Sequence, residues 1–86
     1  MSTKTSLLLV DDDTDITALL SDYLRRFGYE VHTASDATTM RQQLARQHVD
    51  LVVLDVMLPG TDGLTLSREI RERSHIPCLL YTSDAA

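Results

Sequence analysis

The sequence has 86 residues, which is enough for one small domain and too few for two. Hydrophobic residues make up 43% of the chain and charged residues 24%, an ordinary globular composition that argues against a disordered or collagen-like protein. The formal net charge of −5 disfavours direct binding to nucleic acid or to an anionic membrane, and no apolar run approaches the roughly 20 residues that span a bilayer.

The first half of the chain predicts two strands and two helices. Ser6–Val10 is a continuous apolar run, typical of a strand buried on both faces. An amphipathic helix over about Thr14–Phe27 follows, and Gly28 stands where a helix end favours a left-handed residue. The apolar residues of this helix recur at helical spacing: Ile16, Leu19, Leu20, Tyr23, Leu24 and Phe27. Tyr29–Ala34 predicts the second strand, after which Ser35 is expected to cap a helix. The residues of that second helix expected to face the core are Ala37, Met40 and Leu44.

The second half continues the alternation of strand and helix. Asp50–Leu54 repeats the buried-strand pattern, and residues 59–63 have the composition of a turn. Leu64–Arg73 predicts a third helix with Leu66 and Ile70 inward, and Ile76 opens a last strand. Such alternation builds a parallel sheet with helices on both faces. The predicted fold class is therefore an open α/β sheet, and we expect it to be C-terminally incomplete, because the last strand would leave a hydrophobic edge uncovered.

Carboxylates follow two of the predicted buried strands. Asp11 and Asp12 come directly after the first strand, and Asp55 ends the third. Ligands of open α/β sheets gather at the carboxyl ends of the strands, near the point where the strand order reverses. Neighbouring strands would therefore bring the three carboxylates together. Because like charges at short distance need a cation to neutralise them, and oxygen ligands suit a hard ion, the sequence predicts a Mg²⁺ site.

Each acidic residue also has a purely structural explanation. Aspartates that precede a helix often cap it, and Asp13 is expected to cap the first helix. Asp55 taken alone could be a turn residue at the end of a strand. However, helix capping does not explain why a pair of acids follows one buried strand while a single acid follows another.

Two segments carry a resemblance to a known family. They are Leu8–Asp13, with the sequence LLVDDD, and Asp50–Gly63, with the sequence DLVVLDVMLPGTDG. Together they resemble the receiver domain of bacterial two-component response regulators, over Leu7 to about Pro77. This resemblance implies a flavodoxin-like (receiver) fold. It also implies a signalling module rather than an enzyme, in which Asp55 takes a phosphoryl group from a sensor histidine kinase.

The resemblance further implies a role for each residue of the acidic site. Asp55 would be both the phosphoacceptor and a ligand of Mg²⁺. Asp12 would bind the ion directly, and Asp11 would act largely through water. The backbone carbonyl of Met57 would complete the protein ligands.

The C-terminal part of the chain departs from the family pattern. Thr82 falls where the family has a hydroxyl at the end of the fourth strand, but the only lysine, Lys4, cannot replace the family's lysine after a fifth strand. Residues 78–86, with the sequence CLLYTSDAA, resemble the translation of a transposase adapter used in shotgun sequencing libraries. We therefore expect a partial receiver domain over residues 1–86, with natural sequence to about Pro77. A fragment of this extent is not expected to signal.

The remaining expectations concern partners, location and alternative functions. The turn at residues 59–63 and the short third helix are most similar to regulators with a winged-helix DNA-binding output domain. No secretory signal precedes the first strand and Cys78 has no internal partner, so a cytoplasmic protein is expected.

Two alternative functions stay open at this point. A haloacid-dehalogenase-type phosphatase would use Asp11 and Asp13, but Asp15 stands where that family has threonine and Asp55 is left unexplained. A flavodoxin-like nucleotide binder would need a glycine-rich or hydroxyl-rich loop after the first strand, where aspartates stand instead.

Overall fold

The computed structural model describes residues 4–82, which form a four-stranded parallel sheet with three helices. The strands are β1 (Ser6–Val10), β2 (Glu30–Ala34), β3 (Leu51–Asp55) and β4 (Cys78–Tyr81). The helices are α1 (Thr14–Arg26), α2 (Ala37–Arg46) and α3 (Gly63–Arg73). The strand order is β2-β1-β3-β4, and every neighbouring pair is parallel. The open α/β fold predicted from the alternation is thus confirmed.

The main core lies between the sheet and the two helices α2 and α3. Leu8 and Val10 of β1 point to this side together with Val52 and Leu54 of β3. The largest helix residues buried against them are Met40, Leu66 and Ile70. Because side chains alternate along a strand, the buried residues Leu7 and Leu9 point to the opposite side, where α1 packs. β1 is therefore buried on both faces, as its continuous apolar run predicts.

α1 meets the sheet through small polar residues. Its buried side chains are Thr17 and Ser21, whereas Leu19, Tyr23 and Phe27 of the predicted apolar stripe are exposed by 74%, 56% and 65%. The periodicity predicts the helix correctly, because it depends only on local spacing. It does not predict which side of the helix the sheet covers.

The N-terminal cap of α2 differs from the prediction. The cap is Asp36 and not Ser35: the Asp36 carboxylate accepts a hydrogen bond from the backbone N–H of Thr39 at 2.8 Å. The Thr39 hydroxyl in turn accepts from the backbone N–H of Asp36 at 3.2 Å, which completes a capping box. This reciprocal pair requires a residue three positions after the cap, and Thr39 stands at that distance from Asp36.

The bounds of three strands differ from the prediction by one or two residues. β2 begins at Glu30 and not at Tyr29. β3 includes Asp55 as its last residue. Asp50, predicted as its first residue, precedes the strand, and its carboxylate accepts a hydrogen bond from the backbone N–H of Ser6 at 2.8 Å. β4 begins at Cys78, although the carbonyl of Pro77 already accepts a hydrogen bond from the backbone of β3.

The strand order places the carboxyl ends of β1 and β3 side by side. Val10 is paired with Leu54. The residues that follow them, Asp11 and Asp55, therefore lie side by side at the carboxyl-terminal end of the sheet. β2 lies on one side of β1 and β3 on the other, so the strand order reverses between β1 and β3. In open α/β folds this is where ligands bind.

Among residues 4–82, no helix is both long and apolar enough to cross a membrane.

Candidate functional site

Three carboxylates meet at the carboxyl ends of β1 and β3. One oxygen atom from each of Asp11, Asp12 and Asp55 lies within 4.8 Å of the other two. Asp11 and Asp55 are buried, with exposures of 1% and 0%, whereas Asp12 is exposed at the mouth of the site. The structure therefore brings together all three acids that the sequence placed at strand ends.

Asp11 is held by contacts on both of its carboxylate oxygens. Its Oδ1 accepts a hydrogen bond from the backbone N–H of Asp13 at 2.9 Å, and its Oδ2 accepts one from the hydroxyl of Tyr81. Its backbone N–H continues the ladder to β2 by donating to the carbonyl of Ala34 at 3.0 Å. The carboxylate is thus held by the N-cap residue of α1 and by β4, whereas β2 holds the backbone of Asp11.

Asp55 is oriented by the loop that follows it. Its Oδ1 accepts a hydrogen bond from the backbone N–H of Met57 at 2.9 Å. The next backbone N–H, that of Val56, donates to the carbonyl of Tyr81 at 2.9 Å, so the loop stays bonded to β4. The Met57 side chain is 61% exposed.

Asp13 lies outside the cluster although it follows Asp12 directly. Its Oδ1 accepts hydrogen bonds from the backbone N–H groups of Asp15 at 3.0 Å and of Ile16 at 3.3 Å, and it is the N-cap of α1. The expectation that Asp13 caps this helix is confirmed. A phosphatase that used Asp11 and Asp13 together finds no support in this arrangement.

Tyr81 contacts the site and was missed by sequence reasoning. Its pKa is raised, first by burial, then by the hydrogen bond to Asp11 and by the negative charges of the three site aspartates. The phenol therefore stays protonated and donates. Its position at the end of the last predicted strand could have identified it as a site residue, because the carboxyl ends of parallel strands lie at the same end of the sheet.

Gly63 is a second residue that sequence reasoning did not single out for the site. A Cβ atom at this position would lie 2.5 Å from the Cα of Val56 and 3.1 Å from the carbonyl oxygen of Asp55. The first residue of α3 therefore packs directly on the backbone that carries Asp55. The Asp-Gly pair in the sequence indicated a turn, but nothing in it indicated so close an approach.

Thr82, assigned by resemblance to the family's hydroxyl, comes directly after β4 at the same edge of the sheet as the acids. Its side chain is exposed. Tyr81, the residue before Thr82, donates to the carboxylate of Asp11.

The residues of the cluster fit a hard divalent cation. Two of the three carboxylates are buried, and buried carboxylates at this separation repel each other when both are charged. Every donor in the set is a carboxylate oxygen, which is the ligand type that Mg²⁺ prefers.

Comparison with known proteins identifies similar sequences. A family model described as response regulator receiver domain matches residues 7–86. Among curated relatives, the transcriptional regulatory protein GltR of Pseudomonas aeruginosa is 45% identical over 74 residues, which cover 86% of this chain and 31% of GltR. The chain thus spans about a third of the length of this relative.

Solved structures of response regulators have the same fold as this chain. The response regulator TrrA of Thermotoga maritima, in complex with Mg²⁺-BeF, matches with a TM-score of 0.84 and 33% identity, covering 94% of this chain and 71% of TrrA. TrrA in complex with the histidine kinase ThkA matches with a TM-score of 0.84 and 32% identity, covering 95% of this chain and 72% of TrrA.

Proposed function

This chain belongs to the response regulator receiver domain family, and from that membership we propose that Asp55 accepts a phosphoryl group from a histidine kinase. The observation that carries the proposal is the cluster of Asp11, Asp12 and Asp55 around one point at the switch of the strand order. Asp55 is the last residue of β3, which is one of the two inner strands of the sheet.

The transfer is a substitution at phosphorus. A carboxylate oxygen of Asp55 forms a P–O bond while the P–N bond of a phosphohistidine breaks, and the bonding electrons return to the imidazole ring. Catalysis of such transfers depends mainly on position and charge. The hydrogen bond from Met57 N–H fixes the orientation of the Asp55 carboxylate before the donor arrives. Because Asp55 is wholly covered, the side chains around it have to move before the donor can reach it.

We propose Mg²⁺ as the cofactor, held by Asp12 and Asp55 directly, by Asp11 through water and by the backbone carbonyl of Met57. Oδ1 of Asp11 already accepts a hydrogen bond from the backbone N–H of Asp13, which supports its indirect role. When bound, the ion would neutralise the charge that otherwise repels the phosphoryl group from the acids. The complex of TrrA with Mg²⁺-BeF supports this choice of cation.

The same proposal covers partners and cellular context. The donor would be a sensor histidine kinase, as the complex of TrrA with ThkA supports. The output of the full-length protein would be a winged-helix DNA-binding domain, because GltR is a transcriptional regulatory protein of which this chain covers 31%. The module would act in the cytoplasm as a phosphoacceptor rather than as an enzyme.

We also propose that the natural receiver sequence extends to about Pro77 and that residues 78–86 derive from the adapter. The phosphoacceptor role of Asp55 does not depend on this segment, whereas a switch role for Thr82 does. Sequencing the genomic locus in a single long read tests whether residues 78–86 derive from the adapter. Recovery of the same codons for residues 78–86, followed by further receiver sequence, would refute it and restore Thr82 as the hydroxyl.

Phosphorylation of the chain tests the proposed function. The protein is incubated with Mg²⁺ and phosphoramidate, whose P–N bond resembles that of phosphohistidine, and the adduct is located by mass spectrometry. We expect a hydroxylamine-labile adduct on Asp55 that is absent from Asp55→Asn. Asparagine can still accept the hydrogen bond from Met57, so this variant should fold. Asp13→Asn, a change of the same kind at the helix cap, should keep the adduct. Labelling on Asp11, or labelling that survives in Asp55→Asn, would contradict the proposal.

A further inference from the structure

β2 is an outer strand of the sheet, and within residues 4–82 only one of its two edges is paired. On the paired edge, the carbonyl of Ala34 accepts a hydrogen bond from the backbone N–H of Asp11 at 3.0 Å. Successive residues of a strand direct their backbone groups to opposite edges. Val31 and Thr33 therefore direct their N–H and carbonyl groups to the open edge, where an added strand would pair with them.

Arg25 of α1 covers part of this open edge. A terminal nitrogen of its guanidinium group donates to the carbonyl of Val31 at 2.9 Å, in a partly buried hydrogen bond. Arg25 also lines a groove between α1 and β2 together with Thr33 and Asp22. Asp22 lies one turn earlier on the helix and would be an ordinary ion-pair partner. Among residues 4–82, however, Arg25 forms no ion pair, and its described hydrogen bond is the one to β2.

We propose that Arg25 protects the open edge of β2 from pairing with a strand of another molecule. An incoming strand needs the carbonyl of Val31 as an acceptor, so it has to displace the guanidinium group first. In a solution of the pure protein the available strand is β2 of a second copy, and two identical edges pair about a two-fold axis. That pairing would also bring two positive charges together at a partly buried place. This role of Arg25 does not depend on phosphorylation of Asp55.

Removal of the guanidinium group tests the protective role. Arg25→Met keeps a long side chain and a good helix former but donates no hydrogen bond. In sedimentation velocity it should self-associate at a protein concentration about tenfold lower than the wild type, because no hydrogen bond from a charged group has to be broken. Arg26→Met, at the next and also exposed arginine, should behave as the wild type does. Arg25→Lys still carries a donor and should stay close to the wild type. Equal association of Arg25→Met and Arg26→Met would overturn the proposal.

Amide hydrogen exchange locates the surface through which Arg25→Met associates. The backbone N–H groups of Val31 and Thr33 should exchange more slowly in the associated variant than in the dilute one, because they then donate to the added strand. Association through β4, the other outer strand of the described sheet, is common to the wild type and all variants and does not affect the comparison. Slowing confined to β4 would overturn the proposal. A lower melting temperature of dilute Arg25→Met, without slowing at Val31 and Thr33 on association, would also overturn it, since Arg25 would then only stabilise its own chain.

Discussion

At the scale of single residues, three consecutive aspartates have three different environments. Asp11 is buried in the cluster, Asp12 is exposed at its mouth, and Asp13 caps α1. The chain leaves β1 at this point and turns into a helix, so successive side chains point to different neighbours. Residues of one type therefore take a buried position in the cluster, an exposed position in the cluster and a helix cap, respectively.

A prediction at this scale concerns Gly63. Gly63→Ala should lower the free energy of unfolding by about 1–3 kcal/mol, because its Cβ would meet backbone atoms of Val56 and Asp55 that cannot rotate away. Urea denaturation measures the loss. Labelling of Asp55 by phosphoramidate should also fall, since the loop that orients the carboxylate must shift. Leu64→Ala, one residue further along the same helix, should affect labelling little, because Leu64 is 57% exposed. Wild-type stability in Gly63→Ala would contradict this view of the close approach.

At the scale of secondary-structure elements, α2 and α3 are joined by an ion pair above their shared core. Arg41 donates to both carboxylate oxygens of Glu69, through Nε at 2.8 Å and through a terminal nitrogen at 2.9 Å. The hydrogen bond from Arg41 lowers the pKa of Glu69 below its usual value of 4.5, and the charges of Arg41 and Arg73 act in the same direction. The two-point geometry fixes the two helices relative to each other more specifically than a single contact would.

The prediction that follows concerns pH. A carboxylate whose pKa is lowered by folding stabilises the protein above its unfolded pKa, and this contribution is lost as the pH falls through the folded value. Glu69→Gln should therefore lower the melting temperature slightly at pH 7, and the difference from the wild type should shrink as the pH falls below about 4.5. Arg41→Met should behave in the same way, and the double variant should be no worse than either single one. Arg68→Met is the control on the same helix. A difference that stays constant from neutral to acidic pH would contradict the assignment.

At the scale of the whole molecule, the acidic cluster joins two loops that are distant in sequence. Asp11 and Asp12 belong to the loop after β1, and Asp55 ends β3, so a cation held between them links both halves of the chain. Without a cation, the three negative charges oppose the packing of these loops, in a chain whose net charge is already −5. Ligand binding and the stability of the fold should therefore be coupled.

We accordingly predict that Mg²⁺ stabilises the folded chain. A ligand that binds only the native state contributes about 2.7 kcal/mol at a hundredfold excess over its dissociation constant, so the melting temperature should rise with Mg²⁺ concentration. Asp12→Asn should remove most of this rise without unfolding the protein, because Asp12 is exposed. Asp13→Asn should retain it, and K⁺ at equal ionic strength should not reproduce it. An equal rise in the wild type and in Asp12→Asn would show that the effect does not come from the cluster.

The sequence by itself determined the features that depend on neighbouring residues. The apolar run Ser6–Val10 specified a strand buried on both faces, and Gly28, with a φ of 89°, ended the first helix as predicted. Asp13 was placed as a helix cap for the same local reason. The acids at the strand ends could be recognised as candidates, but their meeting depended on β1 and β3 being neighbours.

Only the tertiary structure decided how distant elements meet. The order β2-β1-β3-β4 brought Asp55 to Asp11, and the end of β4 placed Tyr81 on the same carboxylate. The exposure of Leu19 and Tyr23 was equally invisible in the sequence, because periodicity shows that a helix has an apolar side and not which element covers it. Contacts of this kind depend on the packing of the whole chain in three dimensions, whereas strands, caps and turns depend on interactions within a few residues.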